Sequence, residues 1–322
     1  MEVFPVVAGE YLFDTNSPVQ VLLTEESLTS VLHQHDFMEI AYVLEGEGIQ
    51  LIAGDKIQVA KGDLFVIPPE VSHVFQPRDL SGTQPLRILN CMLSPEVFKL
   101  PAALPALFTG LFDEEQQLRL RLRLRLRLRL RLRLLKEQKS WFGYHGQGME
   151  LEVLFRRMQE LHNNSPSADP LRLYPLLFEL LRIVEPCAGV PFTDRLQQAD
   201  DPLHDVILYM VSNFKQRISL KEISRYISMS SRQFQRLFKL KTGKSYIQVF
   251  QEIRMKYSCA LLMFTDFGIQ KIALEVGIGD MKYFYRLFRE YSGMTPGNYR
   301  NWGHSHFSVG KEMISFAEHP AR

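Results

Sequence analysis

A pattern that occurs twice, fifty residues apart, constrains this chain more than any other feature. Phe234-Gln235-Arg236-Leu237-Phe238 returns as Phe284-Tyr285-Arg286-Leu287-Phe288, and Gly243 returns as Gly293. A repeat fixes architecture before local propensity does. In both copies the positions at offsets 0, +3 and +4 are large and apolar, which is one face of a helix. The remaining positions are polar or basic: Ser231, Arg232, Gln235, Arg236 and Lys239 in the first copy, and Met281, Lys282, Tyr285, Arg286 and Arg289 in the second.

Each of these helices is expected to start behind an N-cap residue, Ser230 or Asp280. Each also follows a shorter apolar helix across a tight turn, Ser228-Met229 in one case and Gly277-Ile278-Gly279 in the other. A short helix, a turn and a second helix with outward cationic and amide side chains is a helix-turn-helix arrangement, whose second helix can enter the DNA major groove. Arginine there can donate twice to guanine, and glutamine can pair with adenine. A solvated helix with no partner is the plain alternative for one copy, but two copies with the same arginine make it a poor one. The expected recognition helices are 231–241 and 281–291. Ser231, Arg232, Gln235, Arg236, Met281, Lys282, Tyr285 and Arg286 are candidates for base edges. Lys239, Lys241, Lys244, Arg289 and Arg300 are candidates for phosphates.

The run from Gly277 to Phe288, followed by Gly293-Met294-Thr295-Pro296 and Tyr299-Arg300, resembles the signature of AraC/XylS-type transcription regulators. The likeness extends from Leu203 to Trp302. It implies two helix-turn-helix units joined by a long helix, here roughly Ile247 to Met263, with both recognition helices on one side of a duplex. Ser224 and Ser228 depart from the pattern, standing where small apolar and glycine residues are usual, which leaves the tightness of the first turn open.

Charge divides the chain in the same place. The net charge is only +2, yet residues 203–302 hold 16 Lys+Arg against 7 Asp+Glu, whereas residues 1–117 hold 5 against 17. The basic part suits a polyanion and the acidic part would be repelled by one. At 322 residues there is length for two ordinary domains. No apolar run approaches the ~18–20 residues of a membrane helix, and the start Met1-Glu2-Val3 lacks a basic segment, so a cytoplasmic location is expected. Cys91, Cys187 and Cys259 are widely spaced, which suits buried thiols better than disulfides or a metal knot.

Residues 1–100 alternate in short β-rich runs punctuated by Gly, Pro and Asp, as in a sandwich or barrel. Within them, His33, His35 and Glu39 followed by Gly46, then Gly62, Pro68 and His73, resemble the two cupin motifs. Glu70, Pro77 and Ser27 depart from those motifs. In metal-binding cupins the three histidines and the glutamate hold one divalent ion, and imidazole with carboxylate suits Fe, Mn, Ni or Zn. The expectation preferred here is no cofactor and an effector pocket formed by His33, His35, Glu39, Tyr42 and His73, with aromatics such as Phe65 or Phe75 as a stacking surface. A metal held by His33, His35, Glu39 and His73 is the open alternative.

Leucine and arginine alternate from Leu118 to Arg133. Period two is the strand period, but the segment 118–135 would span about 59 Å at ~3.3 Å per residue, far beyond an ordinary strand. A low-complexity expansion, extended or disordered, is expected; a basic arm on phosphate is the functional alternative. From Met149 the period becomes helical, and the family resemblance implies that these helices pair two subunits.

The expected fold class is therefore a multi-domain α+β chain: a cupin-like effector-sensing β-barrel (1–117), the Leu-Arg segment (118–135), a helical dimerisation segment (136–185), a linker (186–202), an all-α double helix-turn-helix domain (203–302) and a tail (303–322). The expected function is a sequence-specific transcription regulator, an activator, with double-stranded DNA, a small effector such as a sugar, a second copy of itself and RNA polymerase as partners, and no membrane. The competing reading is a metal-dependent cupin enzyme with an accessory basic domain.

Overall fold

The computed structural model describes residues 6–13, 18–94, 141–145, 149–164, 170–184 and 201–307. The Leu-Arg repeat, most of the expected linker and the end of the tail lie outside the described residues. Ten short strands precede nine α-helices among the described residues.

Five strands form one sheet in the order β10-β7-β4-β9-β2, namely Phe142–His145, Asp63–Ile67, Met38–Glu45, Leu86–Leu93 and Val19–Glu26. Opposite it, β6 (Asp55–Ala60), β5 (Glu47–Ile52) and β8 (His73–Pro77) form a second sheet, and β1 (Val6–Val7) pairs with β3 (Gln34–His35). Side-chain alternation along β4 decides what each face buries. Met38, Ile40, Tyr42 and Leu44 face helices α1 (Met149–Asn164) and α2 (Pro170–Val184), packing with Leu154, Phe155 and Leu180. Ala41 and Val43 join Phe65, Ile67 and Phe75 between the two sheets. Both faces are thus apolar, which is why the strands read as continuous hydrophobic runs.

Strand β10 corrects the helical expectation for 136–185. Phe142–His145 pairs antiparallel with Leu64 and its neighbours and extends the barrel sheet before the helices begin. An aromatic run this short has no helical stripe to maintain, so pairing with the free edge of β7 wins.

The C-terminal half is built on α6 (Tyr246–Phe264), close to the expected connecting helix. It is flanked by α3 (Pro202–Ser212), α4 (Leu220–Tyr226), α5 (Ser231–Thr242), α7 (Ile269–Glu275), α8 (Met281–Ser292) and α9 (Pro296–Phe307). The repeat appears as two matched phenylalanine pairs, Phe234 with Phe238 and Phe284 with Phe288, all four fully buried. Each such ring removes on the order of 1.5–3 kcal/mol of apolar surface cost from water. Both long helices end at a glycine in the left-handed region, Gly243 at φ 72° and Gly293 at φ 71°.

The halves dock through α6. Val31, Leu32 and Val74 of the barrel share a core with Leu203, Ile207 and Tyr257, while Phe37 and Met92 pack with Ala260, Met263 and Phe264. The Tyr257 hydroxyl accepts from Leu32 N at 3.1 Å and lies 3.2 Å from Leu32 O. Lys256 Nζ donates to Ser27 Oγ at 2.7 Å, and Thr29 Oγ1 donates to Glu252 at 3.1 Å.

Candidate DNA-reading surface and sensor cavity

Capping sets where each recognition helix starts. Ser230 accepts from Gln233 N while Gln233 reaches back to the Ser230 backbone, a reciprocal box that satisfies two otherwise unpaired donors. Asp280 accepts from Lys282 N and Tyr283 N at 2.9 and 3.1 Å, and its negative charge also suits the helix N-terminus. With the phenylalanines turned inward, the 3.6-residue period sends Arg232, Gln235, Arg236 and Lys239 of α5 outward, and Lys282, Tyr285, Arg286 and Arg289 of α8 likewise; all eight are exposed. Arg286 lies over the Tyr283 ring at 5.3 Å, and the Tyr283 hydroxyl is bonded to Gln251 on α6, so this arginine is braced by the connecting helix.

Other expected contacts are placed differently. Met281 is half-buried against the domain core, and Ser231 Oγ accepts from the buried Ser224 at 3.1 Å, so both sit at the edge of the reading face. Lys241 pairs with Asp201 at 3.2 Å and Lys244 with Glu252 at 2.6 Å, both pairs partly exposed and open to exchange for phosphate. Arg300 is a correction. Its guanidinium donates to the carbonyl of Leu262 at 3.1 Å, one of the last four of α6, which need donors, and to that of Phe267 at 2.5 Å in the loop that follows. It is a structural cap.

In the barrel, β3, β4 and β8 bring His35, Glu39 and His73 together, with His33 beside them. His33 and His73 form a reciprocal backbone pair at 3.2 and 3.0 Å. Ligand-type atoms of His33, Glu39 and His73 all lie within 4.8 Å of one another. Every ring has its Nδ1 against a backbone carbonyl: His33 on Val31 at 2.9 Å, His35 on Phe37 at 2.8 Å and His73 on Val71 at 3.1 Å. A carbonyl only accepts, so each Nδ1 carries a proton. Burial, then the neighbouring His73, lower the His33 pKa to about 3, so its ring is neutral. Burial pushes the Glu39 carboxyl up, but His35 and His73 outweigh it and hold the group below the usual carboxylate range. His35 Nε2 lies 3.1 Å from Glu39 yet outside hydrogen-bonding geometry, and it is fully buried without a hydrogen-bond partner. Imidazole nitrogens gathered around a buried carboxylate are a donor set of the kind that divalent first-row ions take. The donor set therefore fits the ion that a cupin motif implies.

Tyr42, expected in this pocket, is a second correction. It lies on the opposite face of β4, stacked on Phe155 with ring centroids 5.4 Å apart. One residue's difference in register reverses the face. Phe75 does line the cavity, together with residues the sequence did not suggest, Glu26, Asn90 and Lys256. Lys256 sits among Glu252, Arg254 and Ser258 along α6, so nothing in the sequence set it apart. The cavity measures about 70 Å³.

Comparison with known proteins yields two family matches. An AraC-like ligand binding domain matches residues 26–129, and a helix-turn-helix domain matches residues 223–301. The transcriptional activator RhaR of Salmonella schwarzengrund is 23% identical over 273 residues, spanning 84% of this chain and 86% of that one. Among solved structures, the C-terminal domain of the response regulator AraT from Geobacillus stearothermophilus is 26% identical over 33% of this chain and 88% of its own, with a TM-score of 0.31. Wild-type ToxT from Vibrio cholerae, solved with an unsaturated fatty acid, is 13% identical over 89% and 96% of the two chains, with a TM-score of 0.35. No helix among the described residues is long and apolar enough to cross a membrane.

Proposed function

Because this chain belongs to the AraC/XylS-type transcription regulators, with a ligand-binding domain ahead of its helix-turn-helix domain, we propose that α5 and α8 read two successive segments of one DNA major groove. Arg232, Gln235, Arg236, Lys282, Tyr285 and Arg286 contact base edges; Lys239, Lys241, Lys244 and Arg289 contact phosphates, which fix register. The barrel cavity receives the small effector. The likeness to a transcriptional activator supports activation; the same reading includes a sugar-type effector, a contact with RNA polymerase, and pairing of two copies through α1 and α2, where Met149 and Val153 are exposed.

One observation carries this reading. Two exposed cationic ridges of the same spacing are each backed by a fully buried phenylalanine pair and joined by a single 19-residue helix. The domain division proposed is the sensor up to residue 184 and the reader from 201 onward, with the linker between. Selection of bound fragments from random DNA by the full chain tests it. The expected product is a two-part site with half-sites about one helical turn apart. Recovery of fragments without a common sequence would count against sequence reading.

A further inference from the structure

We propose that Arg254 is a positioning residue: it holds the loop 213–219 of the first helix-turn-helix unit against the turn of the second, and so sets the rotation between the two reading helices and the half-site spacing they accept. The inference rests on the two-part reading of DNA proposed above and adds the contact that fixes its phase. A helix joining two units sets their separation, but their rotation about its axis depends on what touches beside it. Here the two units touch directly. Arg254 Nε donates to the Phe214 carbonyl at 2.9 Å and Nη2 to the Gln216 carbonyl at 2.8 Å, while the guanidinium rests over the Phe250 ring at 4.4 Å. A planar fork of donors on the residues to either side of Lys215 restrains the peptide groups of Lys215 itself. The Lys215 carbonyl is thereby held against Gly277, where a Cβ would lie 2.3 Å from the Lys215 oxygen and 3.0 Å from the Arg254 guanidinium. Glycine, with no Cβ, is what lets the two backbones come this close.

Two further bonds extend the contact over the second unit. Lys215 Nζ pairs with Glu275 at the end of α7 at 2.7 Å. Gln251, which shares a face of α6 with Arg254, bonds the Tyr283 hydroxyl in the first turn of α8, and the Tyr283 ring lies beneath Arg286. The end of α7, the turn and the start of α8 are thus each held, by the loop or by α6, and three separate points suffice to orient a rigid body. Arg254 itself is half-buried and outside the exposed reading faces, so it acts on DNA only through this arrangement.

The test compares full-length protein on duplexes carrying the selected site at its own spacing, with a base pair inserted between the half-sites, and with one half-site scrambled. An inserted base pair turns one half-site by about a tenth of a turn, and the wild type should lose about tenfold or more in affinity. In Arg254→Met, which keeps the stem and removes the donors, that loss should shrink to about threefold or less, with single half-site binding within about twofold of wild type. Glu275→Ala, on the exposed side of the same contact, should behave likewise. Nitroxide labels on Leu240→Cys and Glu290→Cys, exposed at matching points of α5 and α8 and placed in a Cys187→Ser background, report the arrangement without DNA. Their distance distribution should be narrow in the parent and broader in both variants. A full spacing penalty in Arg254→Met overturns the proposal, and so does an equal weakening on every duplex, which a merely structural role would give. Should Arg254→Met melt too low to be assayed, Glu275→Ala decides by the same two criteria. If no DNA sequence is selected at all, the two-part reading fails, while the label distances still decide the contact: broadening in the variants supports it and an unchanged distribution overturns it.

Discussion

Ser228 and Gly277 occupy the same point of the two helix-turn-helix turns, both in the left-handed region, at φ 55° and φ 76°. The bonds around them match: Ser228 N to Arg225 O at 3.1 Å and Met229 N to Ser224 O at 2.9 Å, against Gly277 N to Leu274 O at 3.0 Å and Ile278 N to Ala273 O at 2.8 Å. The first turn is as tight as the second, although a serine has to bear the strain.

Ser228→Gly is expected to stabilise the protein. Relief of a non-glycine left-handed residue is worth roughly 1–2 kcal/mol, partly offset by glycine's larger entropy loss of about 0.5–1 kcal/mol. A net gain near 0.5 kcal/mol in urea unfolding is the outcome to look for; a loss would show that the serine side chain contributes something else.

Gly277→Ala should do the opposite. A Cβ there would sit 2.3 Å from Lys215 O, a backbone atom that cannot step aside, on top of the positive φ. A destabilisation of about 2 kcal/mol or more follows, with the stability of the first unit affected less than that of the second. Domain-resolved hydrogen exchange reports both.

Arg236→Ala and Lys239→Ala should separate by kind of defect. Losing the exposed Arg236 should cost ~1–3 kcal/mol on the selected site and relax preference at one position. Losing Lys239 should weaken all sequences alike and reduce the log–log salt slope by about 0.9. Binding measured at several salt concentrations on matched and mismatched sites distinguishes them, and equal losses on all sites for Arg236→Ala would remove it from base reading.

Arg300→Ala should unfold more readily while leaving the salt slope where it was. The Leu262 carbonyl in the last turn of α6 and the Phe267 carbonyl in the loop after it lose a charged donor, at about 1–3 kcal/mol each in the least favourable case. A smaller salt slope with unchanged melting would restore it to the phosphate contacts.

Tyr42→Phe should leave effector response intact, whereas Tyr42→Ala should cost roughly 3–5 kcal/mol, because the ring fills the space between sheet and α1. Thermal melting and effector-dependent DNA binding, measured on the same preparations, check both halves.

How much was legible in the sequence follows from where polarity contrasts existed. Along α5 and α8, charged residues alternate with phenylalanine at helical spacing, so bounds, caps and the outward face could all be read. Along β4 both faces are buried, so nothing in Ile40, Ala41 and Tyr42 tells lumen from exterior, and Tyr42 was assigned to the wrong side. Arg300 looked like any other cation of the basic domain, since the carbonyls it caps are distant in sequence. The docking of α6 was invisible for a related reason: with Ile253, Met255, Tyr257 and Leu262 buried on several sides, no apolar stripe pointed to the barrel. Glu70 departs from the cupin pattern at a position with φ 66°, which explains in backbone terms why glycine is usual there.

The connecting helix α6 has 19 residues and so measures about 28 Å at ~1.5 Å per residue. Because it contributes to the cores beneath both readers, it acts as a ruler rather than a tether. Its operator must then keep a fixed phase: inserting about five base pairs between half-sites would turn one of them to the far side of the duplex, about half of a ~10.5-base-pair turn, and no bending of a linker within this domain could recover it.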